Sequence, residues 1–167
     1  QRNCKKNYHS HIKMTDIHSK VIRSKNMAAI KSRNTRPELL VRKTLHSAGF
    51  RYRLHVKTLP GKPDVVLRKY KAVLFINGCF WHGHDCHLFK WPRTRVGFWQ
   101  QKIQSNIKND REKINHLIGK WRTGIIWECA LKGKTRLPSE DILNRITVWL
   151  KSEIPFTEIK GYTGQGR

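Results

Sequence analysis

The stretch NGCFWHGHDC, Asn77 to Cys86, limits what this chain can fold into more than any other. Cys79, His84 and Cys86 lie within eight residues and supply three of the four soft or borderline ligands that a tetrahedral zinc prefers. Cys129 follows a later predicted strand and completes the set only if that strand lies near the one leading into Asn77. A closed Cys3His site has no open position, so such a metal is structural. The C-x4-H-x-C spacing is less diagnostic than paired C-x2-C units, and His82 and His87 are rival ligands. The plain alternative is a set of unrelated buried thiols. If the metal takes those four, Phe80, Trp81 and His82 are left over on a loop pinned at both ends. By composition alone the two aromatics read as a small satellite core. The other reading is a wedge pushed between stacked bases.

Charge narrows the class of partner. Thirty-five Lys and Arg against eleven Asp and Glu give a net charge of +24, the mark of a polyanion-binding chain. A purely electrostatic binder is equally basic, so the distribution matters more. From Ile17 to His84 there are fifteen Lys and Arg but only two acids, Glu38 and Asp64. At 167 residues the chain suits one well-cored domain. Six Trp, six Phe and four Tyr argue against disorder. The longest apolar run, AVLFI from Ala72, is far short of a membrane span, and QRNCKK at the front does not resemble a signal peptide. The expectation is a soluble intracellular protein whose cysteines bind metal rather than form disulfides. Cys4 receives no role. The missing initiator Met hints at removed residues or at numbering that starts inside a longer chain.

The order of elements expected is α α β β β α β α, one α/β domain around a mixed sheet flanked by helices. Residues 1–15 read as a basic mobile tail, 16–153 as the single domain and 154–167 as a C-terminal tail. Ser19 can cap a first helix to Ile30. TRPE, Thr35 to Glu38, is a capping box for a second helix carrying Val41, Leu45 and Ala48, with Gly49 as its stop. FRYRLHV, Phe50 to Val56, alternates like a half-buried strand. Asp64–Leu67 and Ala72–Ile76 read as a hairpin around Arg68-Lys69-Tyr70. Residues 77–97 form a long loop, which in a compact domain usually means function. A third helix spans about Phe98 to Ile118, a strand Trp121 to Trp127, and PSED from Pro138 opens a last helix.

Asp64 ends PGKPD, at the mouth of a strand behind a rigid turn. Phosphodiester hydrolysis usually needs a divalent cation, and Mg2+ asks for one or two carboxylates and keeps several waters. Metal carboxylates of restriction-type nucleases occupy that kind of place; an ordinary turn aspartate is the blander reading. The usual acid-x-Lys companion is missing, because the next strand is apolar at Leu74-Phe75-Ile76. A metal there needs a backbone carbonyl instead. Glu38 reads first as the capping-box partner of Thr35, and Glu128 as a strand-end acid.

Several separated stretches together resemble the very-short-patch mismatch repair endonucleases, called Vsr. They are PGKPD, FINGCFWHGHDC, Phe98-Trp99, NIKND ending at Asp110 and IWECAL from Ile126, with SKNM from Ser24 and LFKWPRTR from Leu88. The resemblance covers about Ile17 to Leu150. It implies a restriction-endonuclease-like fold, a structural Zn2+ and Mg2+-dependent nicking 5′ to the thymine of a T:G mismatch, the product of 5-methylcytosine deamination. By position it implies Asp64 as the catalytic metal-binding aspartate with the Ile76 carbonyl as second ligand. His82 then stands at the scissile phosphate, as acid/base or holding the water there, and Glu38 and Asp110 support the site. Cys79, His84, Cys86 and Cys129 match the zinc ligands. Phe80, Trp81 and Trp99 match an aromatic wedge, which reverses the reading from composition, and Met27 an arm residue against DNA. The implied setting is a monomer on double-stranded DNA in a prokaryotic cytoplasm, at the nucleoid, with mismatch-repair proteins and a cytosine methyltransferase as companions. One departure stands out: the family commonly has His where this chain has Asn77. Asparagine cannot exchange a proton near pH 7. Either His82 carries the acid/base work alone, or the chain is a weak or inactive zinc-containing mismatch-binding module.

Overall fold

The computed structural model describes residues 33–162, together with Ser19, Val21, Ile22, Ser24 and Lys25. Residues 1–31 and 32–167 form two separate units. In the first, Val21, Ile22, Ser24 and Lys25 are helical, and the Ile22 N–H donates to Ser19 Oγ at 3.3 Å, the capping expected there. The tail expected over residues 1–15 and the arm residue Met27 lie outside the described residues.

The second unit begins with helix α1, Arg36–Ser47. Thr35 Oγ1 accepts the Glu38 N–H, and the Glu38 carboxylate accepts the Asn34 N–H at 2.9 Å, so the box closes one residue upstream of its usual partner. Val41 and Leu45 are buried, Ala48 is the exposed C-cap, and Gly49 adopts φ +82°. Strand β1 (Val65–Leu67) and strand β2 (Ala72–Asn77) pair antiparallel around a 3-10 turn, Arg68–Tyr70. The chain then crosses by a long loop and helix α2 (Val96–Leu117) to strand β3 (Arg122–Trp127), parallel to β2. Short helix α3 (Glu128–Leu131) and helix α4 (Ser139–Lys151) lead to strand β4 (Phe156–Ile159), parallel to β3. The result is a four-stranded mixed sheet in the order β1-β2-β3-β4.

Side chains alternate across this sheet, so each face gathers its own core. Val65, Leu67, Leu74 and Ile126 pack with Val41 and Leu45 of α1 and with Ile142, Ile146 and Trp149 of α4. Val66, Val73 and Phe75 pack with Leu117 of α2. Arg122, at the mouth of β3, donates to the carbonyls of Trp149 and Leu150 in the last turn of α4 and of Ile154 beyond it, placing a cation at the helix C-terminus.

Three expectations change. Phe50 to Val56 is no strand: only Arg53 bridges Val66, His55 turns into the left-handed region at φ +50°, and Leu54 is exposed. Its alternation reflects Phe50 and Tyr52 leaning on the core, without a ladder of backbone bonds. The stretch read as a C-terminal tail from residue 154 contains β4, whose four residues are too few and too exposed to show a period. PSED begins α4 without a side-chain cap; Glu140 and Asp141 instead put negative charge on its first turn. No helix among the described residues is long and apolar enough to cross a membrane.

Candidate active site and metal centre

Strands β2 and β3 run side by side to the same rung, Asn77 opposite Trp127, and the chain leaves both strands there. That shared exit carries Cys79 to Cys129. The ligand atoms of Cys79, His84, Cys86 and Cys129 all lie within 4.8 Å of one another, an arrangement that could hold a metal ion. His84 Nδ1 sits 3.5 Å from Cys79 Sγ and 3.6 Å from Cys129 Sγ. Its ring stacks on Trp127, 4.1 Å between centroids and 14° between planes. The rival histidines are engaged elsewhere, His82 with Asp110 and His87 with Thr135. Burial raises the thiol pKa of Cys79 and Cys129 and lowers that of the His84 imidazole, which favours the neutral form of these three groups. The Cys129 N–H donates to Cys79 Sγ at 3.3 Å, and the Gly161 N–H to Cys129 Sγ at 3.5 Å. These donors suit sulfurs that carry charge, as metal-bound thiolates do.

Glu128, read from sequence as a strand-end acid, has a definite post. One carboxylate oxygen accepts the Cys79 N–H at 3.1 Å and the other pairs with Lys132. It thus holds the loop entrance to α3. Gly83 fastens the middle of the loop: it has φ +60°, and a Cβ there would meet Ile103 of α2 at 2.9 Å.

Asp64 precedes β1 and is half-buried. Its Oδ2 accepts the Ile76 N–H at 2.7 Å, which ties it to the residue whose carbonyl was expected beside it. Burial raises its pKa; the Ile76 N–H opposes that, the Glu38 charge reinforces it, and Arg42 and Lys113 counter it. Glu38 is buried in the cap and in an ion pair with Arg42 at 2.7 Å. Its reach to Asp64 is therefore by charge, through a carboxylate already fully engaged.

On the α2 side, His82 Nδ1 meets Asp110 Oδ2 at 2.5 Å, and Lys113 Nζ holds the other oxygen, Oδ1, at 2.7 Å. Burial acts to raise the Asp110 pKa, but the hydrogen bonds from His82 and Lys113 outweigh it and keep the carboxyl below its ordinary range. An ionised Asp110 can only accept, so Nδ1 carries the proton of this bond; in a neutral imidazole that leaves Nε2 as the acceptor nitrogen. Lys113 escaped the sequence reading; its i+3 spacing from Asp110 was the signal available.

Phe80, Trp81 and Trp99 are half-buried, and Phe80 meets each tryptophan edge to face at 5.2 Å. Phe98 and Trp91 extend the cluster and are about half exposed, at 47% and 50%. The cluster is both things at once, packed within itself and open along one rim. Asn77 is 4% exposed, and its Nδ2 has no hydrogen-bond partner among the described residues.

The profile of a family described as DNA mismatch endonuclease Vsr matches residues 15–88. DNA mismatch endonuclease Vsr of Escherichia coli (strain K12) is 44% identical over 142 residues, 84% of this chain and 90% of that protein. The chain belongs to the Vsr family. That makes it a DNA endonuclease, a hydrolase. Type II nicking enzymes are similar at like levels. V.XorIIP of Xanthomonas oryzae pv. oryzae is 45% identical over 71% of the chain and 88% of its own length. V.NmeAIP of Neisseria meningitidis is 43% identical over 84% of the chain and its whole length. The Vsr profile thus takes in Asp64, His82 and three of the four knot ligands, while Asp110, Lys113 and Cys129 lie beyond its last residue.

Proposed function

We propose that this Vsr-family chain is a zinc-stabilised, Mg2+-dependent endonuclease that nicks one strand of duplex DNA 5′ to the thymine of a T:G mismatch, on a restriction-endonuclease-like fold. The observation carrying the reading is that His82, on the loop bearing the Cys79, His84 and Cys86 ligands, pairs with Asp110, while Asp64 is tied to Ile76 on the strand leading into that loop. The donors fit the ions. A tetrahedral zinc with Zn–S near 2.3 Å and Zn–N near 2.0 Å has edges of roughly 3.5–3.8 Å, close to the His84–sulfur distances. Asp64 offers a hard, poorly solvated carboxylate, and the Ile76 carbonyl is a neighbouring oxygen donor, as Mg2+ prefers.

When bound, Mg2+ supplies Lewis acidity at the phosphate and a more acidic water. The chain's own groups do the rest. His82 Nε2 takes a proton from attacking water or returns one to the leaving oxygen as the P–O bond breaks. Asp110 holds the tautomer that makes this possible. Phe80, Trp81 and Trp99 enter the stack at the mispair, Met27 is an arm residue against the DNA, and the basic surface grips phosphates. The setting we assign is a monomer on the nucleoid in a prokaryotic cytoplasm, with mismatch-repair proteins and a cytosine methyltransferase as companions.

The test is nicking of a labelled T:G duplex with Mg2+, against matched and other mispaired duplexes. Asp64→Ala and His82→Ala are expected to abolish it; full cutting by Asp64→Ala, or equal cutting of matched DNA, overturns the reading. The buried Nδ2 of Asn77, without a partner among the described residues, favours a second reading, a mismatch-binding module with little or no turnover. That reading predicts tight T:G binding with no nicking in Mg2+ or Mn2+.

A further inference from the structure

Lys113 is buried far more than a surface helix lysine, with 16% of its side chain exposed, and it touches three parts of the site. Its ammonium holds Asp110 Oδ1 at 2.7 Å, while His82 holds the other oxygen of that carboxylate. The same ammonium lies 4.4 Å from the centre of the Phe75 ring, on the strand that continues into Ile76 and Asn77. Its aliphatic stem fills the hollow over Gly61, in the turn leading to Asp64. A Cβ at Gly61 would stand 2.7 Å from Lys113 Cδ and 2.9 Å from its Cβ. One side chain therefore spans the turn and strand that present Asp64 and the helix that orients His82. Its charge also acts on Asp64.

We propose that Lys113 is a positioning residue for strand cleavage, a crosspiece that fixes the His82–Asp110 pair relative to Asp64. This rests on the endonuclease reading above. A lysine is missing from the β2 position where nucleases of restriction type carry one, since Leu74-Phe75-Ile76 is apolar. Here the cation reaches the site from α2, three residues after the acid it clamps. Without it, Asp110 keeps only its bond to His82 and can rotate, taking the imidazole with it.

The experiment uses the full, metal-loaded chain in four forms beside wild type: Lys113→Met, which keeps the stem, Lys113→Arg, which keeps the cation, Asp110→Asn, and Asp110→Asn with Lys113→Met. Single-turnover nicking of saturating T:G duplex is expected to fall about 10²-fold in Lys113→Met, the scale of a small misplacement of reacting groups. DNA affinity stays as in wild type, and Lys113→Arg recovers most of the rate. In the Asp110→Asn background the Met substitution adds little, because both act through one carboxylate. Long-range proton–nitrogen NMR of the His82 ring reads the geometry without turnover: one Nδ1–H tautomer in wild type, a mixture in Lys113→Met. Lys113→Gln replaces the Met variant if that chain fails to fold. A wild-type rate in Lys113→Met, additive losses in the double variant, or an unchanged His82 tautomer each overturns the proposal. A wild-type chain that nicks no duplex overturns the endonuclease reading instead, and the tautomer comparison still decides the role of Lys113.

Discussion

A carboxylate that burial holds above its ordinary pKa is a strained tenant, and Asp64 is one. Between the unfolded value of 3.8 and the higher folded value, the folded chain keeps a proton that the unfolded chain releases. Stability contributed by this group therefore falls as pH rises through that window and stays lower above it. Asp64→Asn, which can still accept from Ile76, should melt at a higher temperature than wild type at pH 7 without divalent cations, while losing nicking. An unchanged or lower melting point would contradict this. Asp110 has the opposite sign: burial alone would raise its pKa, but His82 and Lys113 bring it below 3.8. Its contribution is present above that value and is lost as pH falls through the folded one. At this scale the knot was only half legible. Residue type marked four ligands and two rivals, but preferring His84 required knowing that His82 turns to Asp110 and His87 to Thr135. Those partners sit 28 and 48 residues away, beyond any spacing rule.

Among the elements, what could be read locally was read. The runs VVL and AVLFI, the Thr35 box and the long apolar stripe of α2 each carry their own pattern, and they form the elements expected. Strand β4 is made by its partner: four residues with Phe156 exposed become a strand because β3 offers a free parallel edge. The segment after β4 then braces the knot, since the Gly161 N–H reaches Cys129 Sγ and its Cα lies against the backbone. A Cβ on Gly161 would stand 2.4 Å from the Cys129 carbonyl oxygen and 2.6 Å from that of Thr135. Gly161→Ala should cost about 1–3 kcal/mol, as overpacking does, and weaken metal retention. Equilibrium denaturation and chelator competition would read both; wild-type behaviour in each would show that the backbone can yield.

For the whole molecule, two bulk properties set the response to conditions. A closed Cys/His site makes metal affinity part of folding free energy, so stripping the metal should lower the melting temperature markedly. Identical melting before and after chelation would remove the structural role. With a net charge of +24, duplex affinity should fall steeply with salt, each phosphate neutralised adding about 0.9 to the logarithmic slope. A flat response would mean the Lys and Arg surface does not meet DNA. The charge was legible from composition alone; how it divides between gripping DNA and tuning the site was not, because Lys113 and Arg42 are basic residues turned inward.

The matched exit of β2 and β3 also governs when the chain is armed. Moving β3 by one rung against β2 would swing Cys129 away from Cys79 and send Trp127 to the opposite face. On the proposed function, a half-folded copy held to DNA by charge alone would have no blade. The safety catch on a cutter of genetic material is thus the alignment of two neighbouring strands.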